Sequence, residues 1–244
     1  MPQSAEALQE ALAAGVVAVV AVGMDYDSNS QVLELATRHK GVVHAALGLH
    51  PWQLAGKVRA DVERILRQIE DNLGRAVAVG EVGLDYDKHV LAGASREQQQ
   101  SILRDVLTIA ARHGKPVSVH SRYAWRDALD SVGRSGVRAA AFHWYTGPSS
   151  VLAGILRGGY TVSITPAVEY HAEHRRMARQ APAGNLMLET DCPVRYGLET
   201  KYASAPKDVQ RALAAAANIK RMDVAVLAEQ TTQNALRFFG VEFP

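Results

Sequence analysis

Gly80-Glu81-Val82-Gly83-Leu84-Asp85-Tyr86-Asp87 places a carboxylate where a buried strand should end. Ahead of it runs Ala76-Val77-Ala78-Val79, short, apolar and Val-rich, the pattern of a strand covered on both faces. Glycines at 80 and 83 leave the backbone open to close approach. A glutamate at the mouth of such a strand is costly unless a cation or a hydrogen-bond donor meets it. Glu81 therefore needs a partner, and the flanking sequence offers several.

On either side of this stretch, apolar runs and amphipathic segments alternate. Helices are expected over 4–14, 28–39, 58–73, 95–113, 123–132, 149–156, 169–180, 206–217 and 222–239. Strands are expected over 16–22, 42–49, 76–82, 117–120, 139–143, 160–164 and 186–188. Ser95 and Gln98 have capping-box spacing, and Gly114 with Pro116 ends that helix. The alternation predicts an α/β fold, a parallel sheet with helices outside it. Roughly 250 residues is the typical size of one (β/α)8 TIM-type barrel, so residues 1–244 read as a single domain. Seven strands are one short of that barrel, and the chain opens with a helix. Either the first strand lies outside this sequence, or an unrecognised segment replaces it, or the barrel is open.

Composition narrows the partners. The formal net charge is +2, with 48% hydrophobic and 21% charged residues. That is too near neutral for bulk electrostatics to imply a nucleic-acid or membrane partner, although a local basic patch is compatible with it. A membrane span needs roughly 18 consecutive apolar residues; the nearest approach, 11–22, is interrupted by Gly15 and preceded by Glu6 and Glu10. The single cysteine, Cys192, excludes an internal disulfide and suits the cytoplasm. Beside Asp191 it reads as a small filler rather than a nucleophile.

Most apolar runs end at a reactive side chain: Asp25, His50, Glu81, His120, His143, then Glu189 and Asp191. In a parallel barrel these ends meet on one face. Any one histidine can be structural, and Asp25 has the spacing to cap the helix that includes Ser28. The convergence carries the argument. Glu81, His120, His143 and Asp191 come from four different strands and form an N/O donor set suited to Mg²⁺, Mn²⁺ or Zn²⁺.

The ordered blocks Gly48-Leu49-His50-Pro51, Gly80 to Tyr86, His120-Ser121-Arg122, Phe142 to Gly147 and Leu188 to Pro193, with Thr232 to Gly240 at the end, span nearly the whole chain. The chain resembles the TatD family of metal-dependent hydrolases, in the amidohydrolase-like barrel superfamily. That resemblance implies a (β/α)8 barrel and one or two divalent ions. It implies Glu81 as a carboxylate able to bridge two metals, and His120 and His143 on one of them. Asp191 would hold the other or take the proton of the attacking water, with Asp191 and Glu81 as the catalytic pair. His50 and Arg122 would face substrate. Family members begin with a strand carrying Asp-x-His-x-His, which nothing here matches; in register, this chain starts at the first helix.

The implied activity is hydrolysis of DNA phosphodiester bonds by metal-activated water. Two other readings stay open: a metallohydrolase for an amide or lactone, since the fold supports many chemistries, and a barrel that has lost turnover and binds a partner. Arg122 suits a phosphate clamp or an ion pair with a carboxylate. Trp52, Trp144 and Tyr145 can stack on bases or pack their loops. Glu189 can support the site or pair with Arg122. Tyr86 is expected near Glu81, and His171 and His174 on a solvent-facing helix.

Overall fold

Near-continuous burial explains the central strands. β2 (Val43–Leu49) and β3 (Ala76–Gly83) are buried at every position but one each, as strands covered on both faces must be. The structure, a computed structural model, describes residues 2–242. Around these strands run α1 (Pro2–Ala13), β1 (Val19–Val22), α2 (Tyr26–Arg38), α3 (Arg59–Asn72), the short α4 (Lys88–Leu91) and α5 (Arg96–Arg112). Next come β4 (Val117–His120), α6 (Trp125–Arg134), β5 (Ala140–Phe142), α7 (Ser149–Arg157), β6 (Thr161–Ile164), α8 (Ala172–Gln180) and β7 (Leu186–Leu188). A two-residue hairpin, β8 (Arg195–Tyr196) and β9 (Tyr202–Ala203), precedes α9 (Val209–Lys220) and α10 (Val224–Phe239).

The strands β1 to β7 form one parallel sheet in sequential order. This is the expected α/β barrel architecture with seven of its eight strands. Among the described residues β1 and β7 end the sheet and do not pair with each other. The first strand is shorter than its apolar run, starting at Val19 opposite Val43. The hairpin β8–β9 has no periodic signal in sequence, because two-residue strands are too short to show one.

The helices bury one stripe each. α3 covers the sheet with Val62, Ile65, Leu66 and Ile69, the i, i+3, i+4, i+7 pattern of an amphipathic helix. Ser95 caps α5, its Oγ accepting the Gln98 N–H at 3.2 Å. Asp25 caps α2 as its spacing predicts, accepting the Ser28 N–H at 2.8 Å. The glycines around Glu81 serve the neighbouring strands, not a ligand. Gly83 lies at φ +153°, and a Cβ there would run into the His120 carbonyl; one on Gly48 would meet the Glu81 backbone.

Alternation along the strands orients the site. Ala141 is two residues before His143, and Met187 two before Glu189, so each pair shares a face. Ala141 and Met187 pack with Phe238 of α10 in a small cluster apart from the main core. The last helix thus closes the floor beneath the reactive strand ends. Asn234 of the same helix donates to the Leu186 and Ala183 carbonyls at 2.7 Å each, tying α10 to β7.

Two expectations change here. His174 is not solvent-facing but fully buried: its Nε2 accepts the Thr165 N–H at 2.9 Å and its Nδ1–H donates to the Tyr145 carbonyl at 3.3 Å. A histidine with both nitrogens satisfied can sit in a core that its charged neighbours avoid. Tyr86 donates its hydroxyl to Asp127 at 2.8 Å, not to Glu81.

Candidate metal centre

Three histidines converge on one oxygen. Glu81 Oε1 lies 2.9 Å from His120 Nδ1, 3.4 Å from His50 Nε2 and 3.8 Å from His143 Nε2. Asp191 follows β7 and brings its Oδ2 to 3.7 Å from His143 Nε2. The four sequence-predicted donors Glu81, His120, His143 and Asp191 are therefore brought together, with His50 beside them. Glu81 is only 9% exposed, and the positive charge it needs comes from this ring of imidazoles.

Behind each of two histidines stands a second carboxylate. Asp85 Oδ2 lies 3.1 Å from His120 Nε2, and Glu189 Oε2 lies 2.6 Å from His143 Nδ1. Glu189 is itself held by the Ser163 hydroxyl at 2.6 Å and the Trp144 N–H at 2.9 Å. Of its two expected partners, the site and Arg122, it takes the site. Asp85 is fully buried and belongs to the centre, although the sequence reading assigned it no role. The signal was there: His120 needs an acceptor for its second nitrogen, and Asp85 stands in the same acidic stretch as Glu81. Asp85 also accepts the Trp52 indole N–H at 2.6 Å and the Asp87 N–H at 2.8 Å. Gln99 of α5 clamps its backbone on both sides, at 2.8 and 2.9 Å.

The electrostatics follow from this wiring. Burial alone would raise the Glu81 carboxyl, but His143, His120 and His50 hold it well below the usual carboxylate range. Burial would depress His143; Glu189, Glu81 and Asp191 instead hold it well above the ordinary imidazole value. His120 is raised against burial by Asp85 and Glu81. Asp85, raised by burial, is brought down to about 2 by hydrogen bonds from His120, Trp52 and the Asp87 backbone. His50 is lowered, because burial there outweighs Glu81.

The hydrogen bonds sort the donors. A ligating imidazole gives its other N–H to a carboxylate or carbonyl. His120 and His143 meet that condition through Asp85 and Glu189, so His120 Nδ1 and His143 Nε2, which now face Glu81, are the nitrogens that would ligate once an ion displaces their protons. His50 does not: its Nδ1 accepts the Trp52 backbone N–H at 3.2 Å, which leaves the proton on Nε2. His50 is a donor to an oxygen. Two groups of donor atoms close to within 4.8 Å: His50, Glu81 and His120, and Glu81, His143 and Asp191. Glu81 is their shared member. His120 belongs to the first group and His143 to the second, and both nitrogens approach the same oxygen, Glu81 Oε1, at 2.9 and 3.8 Å. Imidazole nitrogens and carboxylate oxygens around one ionised glutamate are the donor chemistry of a divalent ion.

The remaining sequence-predicted residues separate. Arg122 has its NH2 2.6 Å from Asp87 and its Nε 3.6 Å from Asp85; the carboxylate pairing weighed against a phosphate role is present. Tyr145 is fully buried, with its hydroxyl donating to the Pro148 carbonyl at 2.9 Å. Its ring has no free face, so the expected substrate contact is corrected to a packing role. Trp144 is half-buried, between His143 at 6.4 Å and Tyr196 at 5.6 Å; it walls the centre. Trp52 is 51% exposed.

Comparison with known proteins points to a metal-dependent hydrolase family. The family model "TatD related DNase" matches residues 2–240. The human protein "Deoxyribonuclease TATDN3" is 32% identical over 241 residues, covering 96% of this chain and 88% of its own. An "Uncharacterized metal-dependent hydrolase TatD" of Mycobacterium tuberculosis is 32% identical over 247 residues, covering 96% and 90%. The crystal structure of YjjV, a TatD homologue from Escherichia coli, superimposes with a TM-score of 0.88 at 25% identity, over 99% of this chain and 93% of that one. On these matches the chain belongs to the TatD-related DNase family of metal-dependent hydrolases.

Proposed function

We propose that this chain is a metal-dependent deoxyribonuclease that hydrolyses DNA phosphodiester bonds, with Glu81, His120, His143 and Asp191 holding the metal. The observation that carries the reading is the paired wiring of His120 to Asp85 and His143 to Glu189, with both rings facing an ionised Glu81. That wiring leaves one ligating nitrogen on each histidine and one carboxylate shared by them. When bound, a divalent ion supplies Lewis-acid chemistry, lowering the pKa of water and neutralising charge on phosphate oxygens.

The chain's own groups do the rest. Asp85 and Glu189 fix the two ring orientations by accepting the outer N–H groups. The Asp191 side chain, 33% exposed, is open enough to accept the proton of a water attacking phosphorus. The His50 N–H points into the centre and donates to an oxygen there. Arg122 meets a phosphate by exchanging the exposed Asp87 contact for it. The substrate is DNA on this reading, as the name of the human relative suggests. The seven-stranded sheet, with helices packed on it around one main core, supports residues 1–244 as one domain. No helix among the described residues is long and apolar enough to cross a membrane. The lone Cys192 goes with a cytoplasmic location.

The test is nucleotide release from end-labelled single-stranded DNA with Mg²⁺ or Mn²⁺, against chelator and an Asp191→Asn control. Metal-dependent cleavage that the variant loses supports the proposal. Metal-loaded, folded protein that leaves DNA intact overturns it and moves the assignment to another substrate or to a binding protein.

A further inference from the structure

Two aromatic rings, Trp52 and Tyr123, pack on one side and keep about half their surface in water. Trp52 is half in water although its indole N–H is locked to buried Asp85 at 2.6 Å. Its ring stands edge-on to His50 at 4.8 Å and to His120 at 6.0 Å, so it borders the centre directly. The Asp85 carboxylate also faces Arg122, 3.6 Å from its Nε. The Arg122 guanidinium carbon lies 5.5 Å from the centroid of the Tyr123 ring. Tyr123 is 59% exposed and is held at φ +57°, a conformation that a bulky side chain adopts only under constraint. One buried carboxylate thus anchors a solvent-facing indole and faces a guanidinium that Asp87 holds at 2.6 Å, and the guanidinium leads to a second solvent-facing ring.

A hydrophobic core explains neither ring, because each leaves about half its surface in water. Their order does have a chemical match: a flat apolar face, a cation, a second flat face. A nucleic-acid strand repeats base, phosphate, base. Aromatic faces take any base whose own face is free, and a guanidinium between them takes the phosphate. The anchoring matters as well, since a ring already fixed by its N–H loses little freedom when a base stacks on it.

Resting on the nuclease reading above, we propose that Trp52, Arg122 and Tyr123 form a subsite for unpaired nucleobases beside the scissile phosphate, with Trp52 as the inner shelf and Tyr123 as the outer one. Of the two other rings that the sequence offered for the same task, Tyr145 is fully buried and Trp144 is half-buried beside His143 and Tyr196. Asp85 is then shared between metal centre and subsite: it orients His120 with the same oxygen that anchors Trp52.

The experiment compares a thymidine oligonucleotide with an abasic strand of equal length, using the full metal-loaded chain. Binding is read by fluorescence anisotropy and cleavage by initial rates. Wild-type protein is expected to favour the base-bearing strand by about tenfold or more. Trp52→Ala collapses that preference towards one; Trp52→Phe, which keeps an aromatic face but loses the N–H, retains more of it. Tyr123→Ala, which leaves Asp85 untouched, lowers the preference in part. The proposal is overturned if both alanine variants keep the wild-type preference, or if wild-type protein shows none. Base-selective binding without cleavage would sink the nuclease assignment and leave the subsite standing. Equal cleavage of both strands would do the reverse.

Discussion

The two donor groups that share Glu81 solve one problem with opposite wiring. In one, His120 turns Nδ1 inward and gives Nε2 to Asp85; in the other, His143 turns Nε2 inward and gives Nδ1 to Glu189. The supports differ in what else they hold. Glu189 is tied to Ser163 and the Trp144 backbone, inside the barrel wall. Asp85 is tied to Trp52 and faces Arg122, both of which reach solvent. On the proposed reading, one histidine's support only presents a ligand, while the other joins ligand geometry to the substrate subsite. A carboxylate behind a histidine is thus not a uniform part; its second partner sets what its loss will do.

The largest effect should come from the residue both groups share. Glu81→Ala is expected to reduce bound metal and DNA cleavage to background together, read by elemental analysis of the purified protein and by nucleotide release. Metal content and activity both unchanged would remove Glu81 from the centre. Next come the two supports. Asp85→Asn and Glu189→Gln should each weaken metal binding roughly 10- to 100-fold, measured by competition with a chromogenic chelator. Only Asp85→Asn should also raise KM for DNA, because it alone loosens Trp52 and Arg122. Matching KM changes in the two variants would erase the difference between the groups.

His174 is the control histidine, buried like the other two but without a carboxylate. Burial lowers it to about 4 against an ordinary 6.5, the opposite direction from His143. The unfolded chain therefore binds a proton first as pH falls. The contribution to stability is complete above about pH 6.5 and is lost as pH drops towards 4, by up to roughly 3 kcal/mol. Urea midpoints at neutral and mildly acidic pH should diverge less for His174→Gln than for wild-type protein; equal slopes would refute the assignment. The smallest effect lies far from both groups. Asp25→Ala removes the α2 cap and should cost about 1 kcal/mol without changing metal content. A change in metal content would bring Asp25 into the centre.

The alternation of strands and helices, the count of seven strands and the convergence of Glu81, His120, His143 and Asp191 were readable from local pattern. Apolar period and turn residues report on what lies within a few positions, and strand ends of a parallel sheet share one face by construction. Partnership across the sheet was not readable. Asp85 and His120 are 35 positions apart, and Glu189 and His143 are 46 apart. His174 sits in a charged segment whose composition says solvent, yet its two nitrogens find a backbone amide and a carbonyl inside the core. Tyr145 and Trp52 both follow strand ends, and sequence treats them alike; packing buries one and leaves the other in water. Residue chemistry and spacing alone specified the elements and the donor types, because both are local. Which nitrogen faces the centre, which carboxylate stands behind it and which aromatic face stays free depend on contacts between distant strands, and only the folded sheet sets those distances.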